Sequence, residues 1–541
     1  MKYHFLIIGL LIISINSKKE IDATEIEARI SYDNTGTWKI VTDNFEEINY
    51  VATGYYNSVY EQKGFDIIAI TTNKIFSDDL QAEAAGRLEG FLSRDRINYH
   101  YKNLISISGK LSNDERNFFQ GQMDFIKSEY LKNPDDPHIY NAHLIYLQFK
   151  GMVEEYNART EIAEDKIDEI DFNIMTAFGD MIEIRDKFKP HDFSKMTTDE
   201  LKLHFLLNSH CSAIFKAKED ITNVFMAHNS WYYYSMMNRM IKEYNFNFNH
   251  PSVKAKTVIF SSYPATLSSN DDFYVTSQDL SVIETTNIFY NSTFYELMVP
   301  ETLLTWQRVI IANRMSQSAE EWSTHFSPYN SGTYNNMYMV LDMKLVDLEN
   351  QKIEDKAMFT IEQIPKLVKA NDVTNHLRYG YWPSYNTPYD KEIIALSLIQ
   401  EQIKKTPELI HEIDYDMCSR STIMRRDQSK IVDIESLKKF IRYNNYKNDE
   451  LTGNNPVGSL SARGDLLPKP QCFGAYDAKA SSVKDLKGKN KKIYVVAGPT
   501  YEDELEPFVW SKQDSCSKYG KNGLSDEAKY EWFEYENRFK D

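Results

Sequence analysis

The chain has 541 residues, and 62 Lys and Arg against 79 Asp and Glu give a formal charge of -17, which disfavours nucleic acid or an anionic membrane surface as a partner held by bulk electrostatics. With 42% hydrophobic residues, 36 tyrosines and 29 phenylalanines it can bury a large core. Its length allows roughly two to four domain-sized units or one large α/β body.

The basic Lys2, an apolar run over residues 5–15 and the small Ser17 before Lys18-Lys19-Glu20 predict a signal peptide over residues 1–17. The run is shorter than the roughly 20 residues a spanning helix needs, and no later stretch is long enough either. The expectation is a mature chain in the secretory pathway, secreted or lysosomal. From residue 21 to about 101, short apolar runs such as Asp66-Ile67-Ile68-Ala69-Ile70 alternate with Gly and polar breaks, and 80–92 reads as a helix. From 113 to about 189 the pattern is helical, with Phe119, Met123, Ile126 and Tyr130 on one stripe. Residues 190–200 are polar and turn-rich, which fits either a linker open to processing or an ordinary surface loop.

Cys211 follows, in Asn208-Ser209-His210-Cys211-Ser212-Ala213, with His228 seventeen residues on in Ala227-His228-Asn229-Ser230-Trp231. Met236, Met237, Met240, Ile241 and Tyr244 predict a helix face belonging to the core. Strand-like runs come next at 257–260, 273–275, 280–286, 337–345, 359–361 and 493–496. Pro300-Glu301 has the residues of a helix start and predicts a long helix ending near Trp322. Many strands with flanking helices imply sheets covered on their outer faces.

Asn291-Ser292-Thr293 is an acceptor for N-glycosylation, which places that turn on the surface. Cysteine occurs four times, at 211, 418, 472 and 516, so this is no disulfide scaffold. Cys472 and Cys516, both in the loop-rich C-terminal region, are the better candidates for a bridge, although sequence alone does not fix the pairing. Gly-rich phosphate loops, His-Glu-x-x-His and Cys-x-x-Cys are missing, so neither metal nor nucleotide chemistry is supported and no cofactor is expected.

Read singly, the polar residues near Cys211 are bland. Cys211 fits a structural cysteine, His228 a hydrogen-bonded core residue, Thr286 sheet packing, Asn386 before Thr387-Pro388 a turn former, and Arg420 a surface charge. Taken in order, longer strings say more: Ser261-Ser262-Tyr263-Pro264 with Asp271-Asp272-Phe273-Tyr274, Glu284-Thr285-Thr286, Asn330 to Asn336, Tyr381-Trp382-Pro383-Ser384-Tyr385-Asn386, Arg425-Arg426-Asp427-Gln428, Arg442-Tyr443-Asn444-Asn445 and Ala497-Gly498-Pro499-Thr500. From about Cys211 to Trp510 the chain resembles the phospholipase B-like proteins, more loosely before that.

The resemblance implies an α+β fold of the N-terminal nucleophile hydrolase type, an αββα sandwich of two mainly antiparallel sheets covered by helices. It implies a precursor cut at His210-Cys211, dividing an N-terminal segment, 18–210, from a catalytic chain, 211–541, with the N-terminal piece either retained or released. It places the active-site set on Cys211, His228, Trp231, Thr286, Asn386 and Arg420. A free cysteine has a pKa of about 8.5 and an α-amino group about 7.7 to 8, so a cysteine made N-terminal carries nucleophile and base on one residue. Before cleavage that nitrogen is an amide, and the first turnover needs another route: thiol attack on the His210 carbonyl, an acyl shift to sulfur, then hydrolysis. Asn386 is the expected oxyanion donor, and Arg420 is expected to orient the amino terminus or pin a carboxylate or phosphate. Cys418, two residues before Arg420, would share its face on a strand. The expected substrate is an ester-linked acyl group of a phospholipid. Amide hydrolysis on N-acyl amides, and a non-catalytic binding protein of the same fold, are the competing readings.

Overall fold

The computed structural model describes residues 24–46, 48–208 and 211–540. The expected signal peptide over 1–17 and the residue before the expected cut, His210, lie outside them. The frame is two sheets. The larger has eleven strands, in the order Leu367–Asp372, Met358–Ile364, Asn336–Asp342, Leu280–Thr286, Phe273–Thr276, Thr257–Ser262, Arg239–Asn245, Phe65–Thr72, Ala52–Ser58, Thr24–Tyr32 and Trp38–Val41. The smaller has six: Tyr381–Ser384, Ser212–Ala217, Val224–Asn229, Asp477–Ser482, Lys492–Ala497 and Phe533–Glu536. Within both, neighbouring strands run antiparallel except at one join, where Phe65–Thr72 pairs in parallel with Arg239–Asn245. A parallel pair needs a long crossover, and the helices between residues 72 and 239 supply it.

Alternation along the strands builds three apolar layers. In Ser212–Ala217, Ala213 and Phe215 point between the sheets, toward Ile241, Ile283 and Met339 of the larger one. Ile214 points the other way and packs with Phe225 and Ala480 against Ile423 and Met424 of helix Ser419–Asp427 and Leu437 and Ile441 of helix Ile434–Ile441. On the far side of the larger sheet, Ile68, Ile70, Met240 and Val340 meet helices Asp78–Leu92, Pro137–Arg159, Thr305–Met315 and Ala319–Phe326. Each such side chain contributes about 1.5–3 kcal/mol by leaving water. Helices Asp78–Leu92 and Pro137–Arg159 touch backbone to backbone: a Cβ on Gly86 would lie 1.8 Å from the Gln148 carbonyl oxygen.

The sheet is therefore continuous across position 211, since strands on both sides of it share one ladder. Residues 190–200 lie at the surface, none of them buried, with Phe193 and Met196 resting part-buried against an apolar cluster. A short 3-10 turn spans Phe193–Lys195 and helix Thr198–Asn208 follows, with Leu201 and Phe205 buried against Ile399, Leu409 and Ile413.

Two expected helices are corrected. Residues 236–244 form a 3-10 turn, Tyr234–Met236, and then the strand Arg239–Asn245. That strand is covered on both faces, so apolar residues occupy odd and even positions, and a spacing of four suits a strand as well as a helix. The stretch from Pro300 is two helices, Thr305–Met315 and Ala319–Phe326; the second begins where the Ser318 side chain accepts a hydrogen bond from the Glu321 N–H.

Candidate active site around Cys211

Cys211 precedes the strand Ser212–Ala217, is 2% exposed, forms no disulfide, and has φ +108°, a conformation costly for a residue with a Cβ. Cross-strand register puts Ser212 opposite Asn229 and Ala213 opposite His228. Asn229 ties the corner together: its Oδ1 accepts from Ser212 N at 2.9 Å and Trp231 Nε1 at 2.8 Å, and its Nδ2 donates to the carbonyls of Ile441 and Leu460. The strand bearing His228 ends at Asn229, and Trp231 begins a separate short strand paired with Phe473–Ala475. This break at Ser230 lets two residues three apart approach one site.

Arg420 is buried in the first turn of helix Ser419–Asp427. Its guanidinium donates to the carbonyl of Cys211 at 2.7 Å and of Tyr385 at 2.8 Å, and lies 4.4 Å from the centre of the Trp231 ring. Burial lowers its pKa to about 10. It thus fixes the main chain of Cys211. Cys418 is the residue capping that helix, not a strand neighbour of Arg420, so the expected shared face does not arise.

Ser384 pairs with Ala213, and the chain running on to Asn386 passes Cys211. Asn386 has φ +71°; its main-chain N–H donates to Thr285 Oγ1 at 3.1 Å and its Nδ2 to the Thr286 carbonyl at 2.7 Å, leaving a second amide hydrogen for another acceptor. Here Thr286 acts through its carbonyl. Thr285 supplies the hydroxyl facing the smaller sheet, 2.6 Å from Ser384 Oγ.

The ligand-type atoms of Cys211, His228 and Glu284 lie within 4.8 Å of one another, all three residues buried. Neither ring nitrogen of His228 has a hydrogen-bond partner among the described residues. Burial and then the charge of Glu284 push the Cys211 thiol up, against the pull of Lys479 and the Trp231 N–H. Burial, reinforced by Lys479, pushes His228 down. Burial and then Asp272 push Glu284 up, and burial takes Asp272 to about 8. For all three groups burial is the largest cause, and it works against the charged form.

Beneath them lies a buried ionic cluster. Lys479, opposite His228 in register, donates to Ser230 Oγ at 2.6 Å, Asp271 at 2.7 Å and Asp477 at 2.9 Å. Arg239 donates to Asp271 at 2.5 Å. Burial works against ionised Asp271, but Arg239 and Lys479 outweigh it and hold the carboxyl well below the usual range. Above, Trp231, Arg420 and Cys418 border a cavity of about 590 Å³ whose walls include the apolar Leu203, Leu206, Val457 and Leu467 and the polar Glu200, Lys202, Glu412 and Lys469. Helix Thr198–Asn208 is one wall of it.

All six expected site residues thus gather at this corner, with Thr286 contributing main chain. Sequence reading missed Asn229, Glu284, Asp271 and Lys479. One usable signal existed: Asp477 and Lys479, two apart in a run of small residues, place opposite charges on one strand face. Elsewhere, Cys472 and Cys516 are joined in a disulfide. Asn291 caps a surface 3-10 turn, its Nδ2 donating to the Leu396 carbonyl at 3.0 Å.

The family model described as phospholipase B matches residues 52–535, so the likeness begins well upstream of Cys211. The chain is 35% identical over 474 residues to phospholipase B of Crotalus adamanteus, covering 85% of this chain and 84% of the relative. It is 34% identical over 491 residues to phospholipase B-like protein B of Dictyostelium discoideum, covering 89% and 85%. It is 35% identical over 473 residues to phospholipase B-like 1 of Rattus norvegicus, covering 85% and 84%. Matching along most of its length, with the Cys211 corner inside the matched region, the chain belongs to the phospholipase B family.

Proposed function

We propose that this chain is a phospholipase B-like acyl hydrolase of the N-terminal nucleophile type, which cleaves its own His210-Cys211 bond and then removes acyl groups from glycerophospholipids through a thioester on Cys211. The observation that carries the reading is the placement of Cys211: an unbridged, buried thiol on a strained residue, its carbonyl held by Arg420, beside an unpaired imidazole and next to an apolar cavity.

In the cut enzyme the new α-amine takes the thiol proton, and the thiolate attacks the ester carbonyl. The free amide hydrogen of Asn386 receives the oxyanion, a contribution worth about 2.7–4 kcal/mol in comparable sites. The alcohol leaves with a proton from the ammonium group; water, its proton taken by the same amine, then hydrolyses the thioester. The apolar cavity takes the acyl chain. The N-terminal fragment stays bound, because its strands complete the larger sheet and its carboxylates hold the loop at the site: Glu183 accepts from the N–H groups of Tyr334 and Asn335, and Asp180 from Thr305 N and the Thr333 hydroxyl. Secretion or lysosomal residence completes the proposal.

Matured protein incubated with phosphatidylcholine vesicles tests it. Fatty acid released by the wild type and not by Cys211→Ala supports an esterase. Amine release from N-acyl amides, with phospholipid left intact, moves the reading to an amidase. An uncut chain inert to both is a binding protein.

A further inference from the structure

Resting on that reading, one problem remains. Before cleavage the nitrogen of Cys211 is an amide and accepts no proton, so the base and acid of the first reaction must come from elsewhere. We propose that Glu284, with His228, is the proton-transfer pair for self-cleavage, a role distinct from the α-amine's in lipid hydrolysis. The geometry is a thiol sulfur, an imidazole nitrogen and a carboxyl oxygen within 4.8 Å of one another, all three residues buried. Neither imidazole nitrogen makes a hydrogen bond of good geometry, and the Glu284 main chain is the polar group nearest to pairing with it. Glu284 is held by the Tyr334 hydroxyl, 3.1 Å from its Oε1, and Tyr334 also donates to the Asn270 carbonyl. Burial, then Asp272 and Asp271, favour the protonated form of Glu284, while the Tyr334 hydroxyl and Lys479 pull the other way.

The step balances as follows. His228 takes the Cys211 Sγ proton as sulfur bonds to the His210 carbonyl carbon. The C–N bond breaks with Glu284 giving its proton to the departing Cys211 nitrogen. The imidazolium returns its proton to the Glu284 carboxylate, and water hydrolyses the thioester to the His210 carboxyl and the free thiol. The pair ends as it began, and the amine made by the first reaction is the base for all later ones.

Two variants of the purified precursor test this, with cleavage at residue 211 followed by intact mass and folding checked by thermal melting. Glu284→Gln keeps size and hydrogen bonds but carries no transferable acid proton; Glu284→Asp keeps the acid on a shorter arm. A proton-transfer role predicts cleavage slowed about 100-fold or more in Glu284→Gln and within about tenfold of wild type in Glu284→Asp. A packing role predicts the reverse order. Glu284→Gln cleaving within threefold of wild type, or the two variants slowed equally, overturns the proposal. Failure of the Cys211 reading itself shows separately, as cleavage persisting in Cys211→Ala.

Discussion

Removing the Arg420 guanidinium tests how Cys211 is held. In Arg420→Ala, the carbonyls of Cys211 and Tyr385 lose buried donors at 2.7 and 2.8 Å. Each orphaned carbonyl costs about 1–3 kcal/mol, and the lost contact with the Trp231 face about 1 kcal/mol more. Against this, a charge is no longer buried, and its pKa, lowered to about 10, shows that its surroundings do not fully compensate it, an offset of about 3 kcal/mol. The net destabilisation is about 2 kcal/mol. Arg420→Lys keeps the charge but presents a point donor in place of a fork, satisfies one carbonyl, and loses about half as much. The assay is urea unfolding in a Cys211→Ala background, so that uncut chains are compared. A parallel measurement of cleavage in the Cys211 background should show Arg420→Ala slowed about 100-fold, the cost of misplacing a reacting group by about 1 Å. Unfolding unchanged within about 0.5 kcal/mol together with cleavage at the wild-type rate would refute the positioning argument.

Asn386→Ala should lower kcat on phospholipid about 100-fold with KM changed little, read in steady-state assays of matured enzyme, since the amide acts on the transition state. Replacing both Cys472 and Cys516 by Ala opens a loop with a sequence separation of 44 and should cost about 4 kcal/mol in the chain-entropy treatment, visible as a lower unfolding midpoint. Stability should also depend on pH in a defined sense. Burial raises Glu183 and Asp272 to about 8 and Glu362 to about 7, so between the ordinary carboxylate range and these values the folded chain binds more protons than the unfolded one, and stability falls as pH rises through them. Burial lowers His100 to about 3, His204 to about 4, and His228, so below about 6.5 the unfolded chain gains protons the folded one refuses. From about pH 6.5 to 8 the carboxyls act in the same sense as His191, which its hydrogen bond to Asp186 raises, and the melting temperature of the uncut Cys211→Ala chain should drop over that interval.

Much of the frame was legible in the sequence because covered strands carry dense apolar runs: 280–286 appears as the strand Leu280–Thr286 and 80–92 as most of helix Asp78–Leu92. Legibility failed where burial on both faces erases the period, as in Arg239–Asn245, and where a polar break inside a helical stretch, Ser316 to Ser318, separates two helices. The six expected site residues were placed through strings shared with a family, since a lone His or Asn carries no mark of its role. What stayed hidden depends on contacts between distant segments. Glu284 matters because Tyr334 and Cys211 converge on it, and Asn229 because its amide reaches residues 441 and 460.

The most direct test is amino-terminal sequencing and intact mass of the matured wild-type protein beside Cys211→Ala. The account predicts two fragments that co-elute without denaturant, the second beginning Cys-Ser-Ala, and a single uncut polypeptide for the variant. A fully active wild-type preparation with the His210-Cys211 bond intact would contradict it.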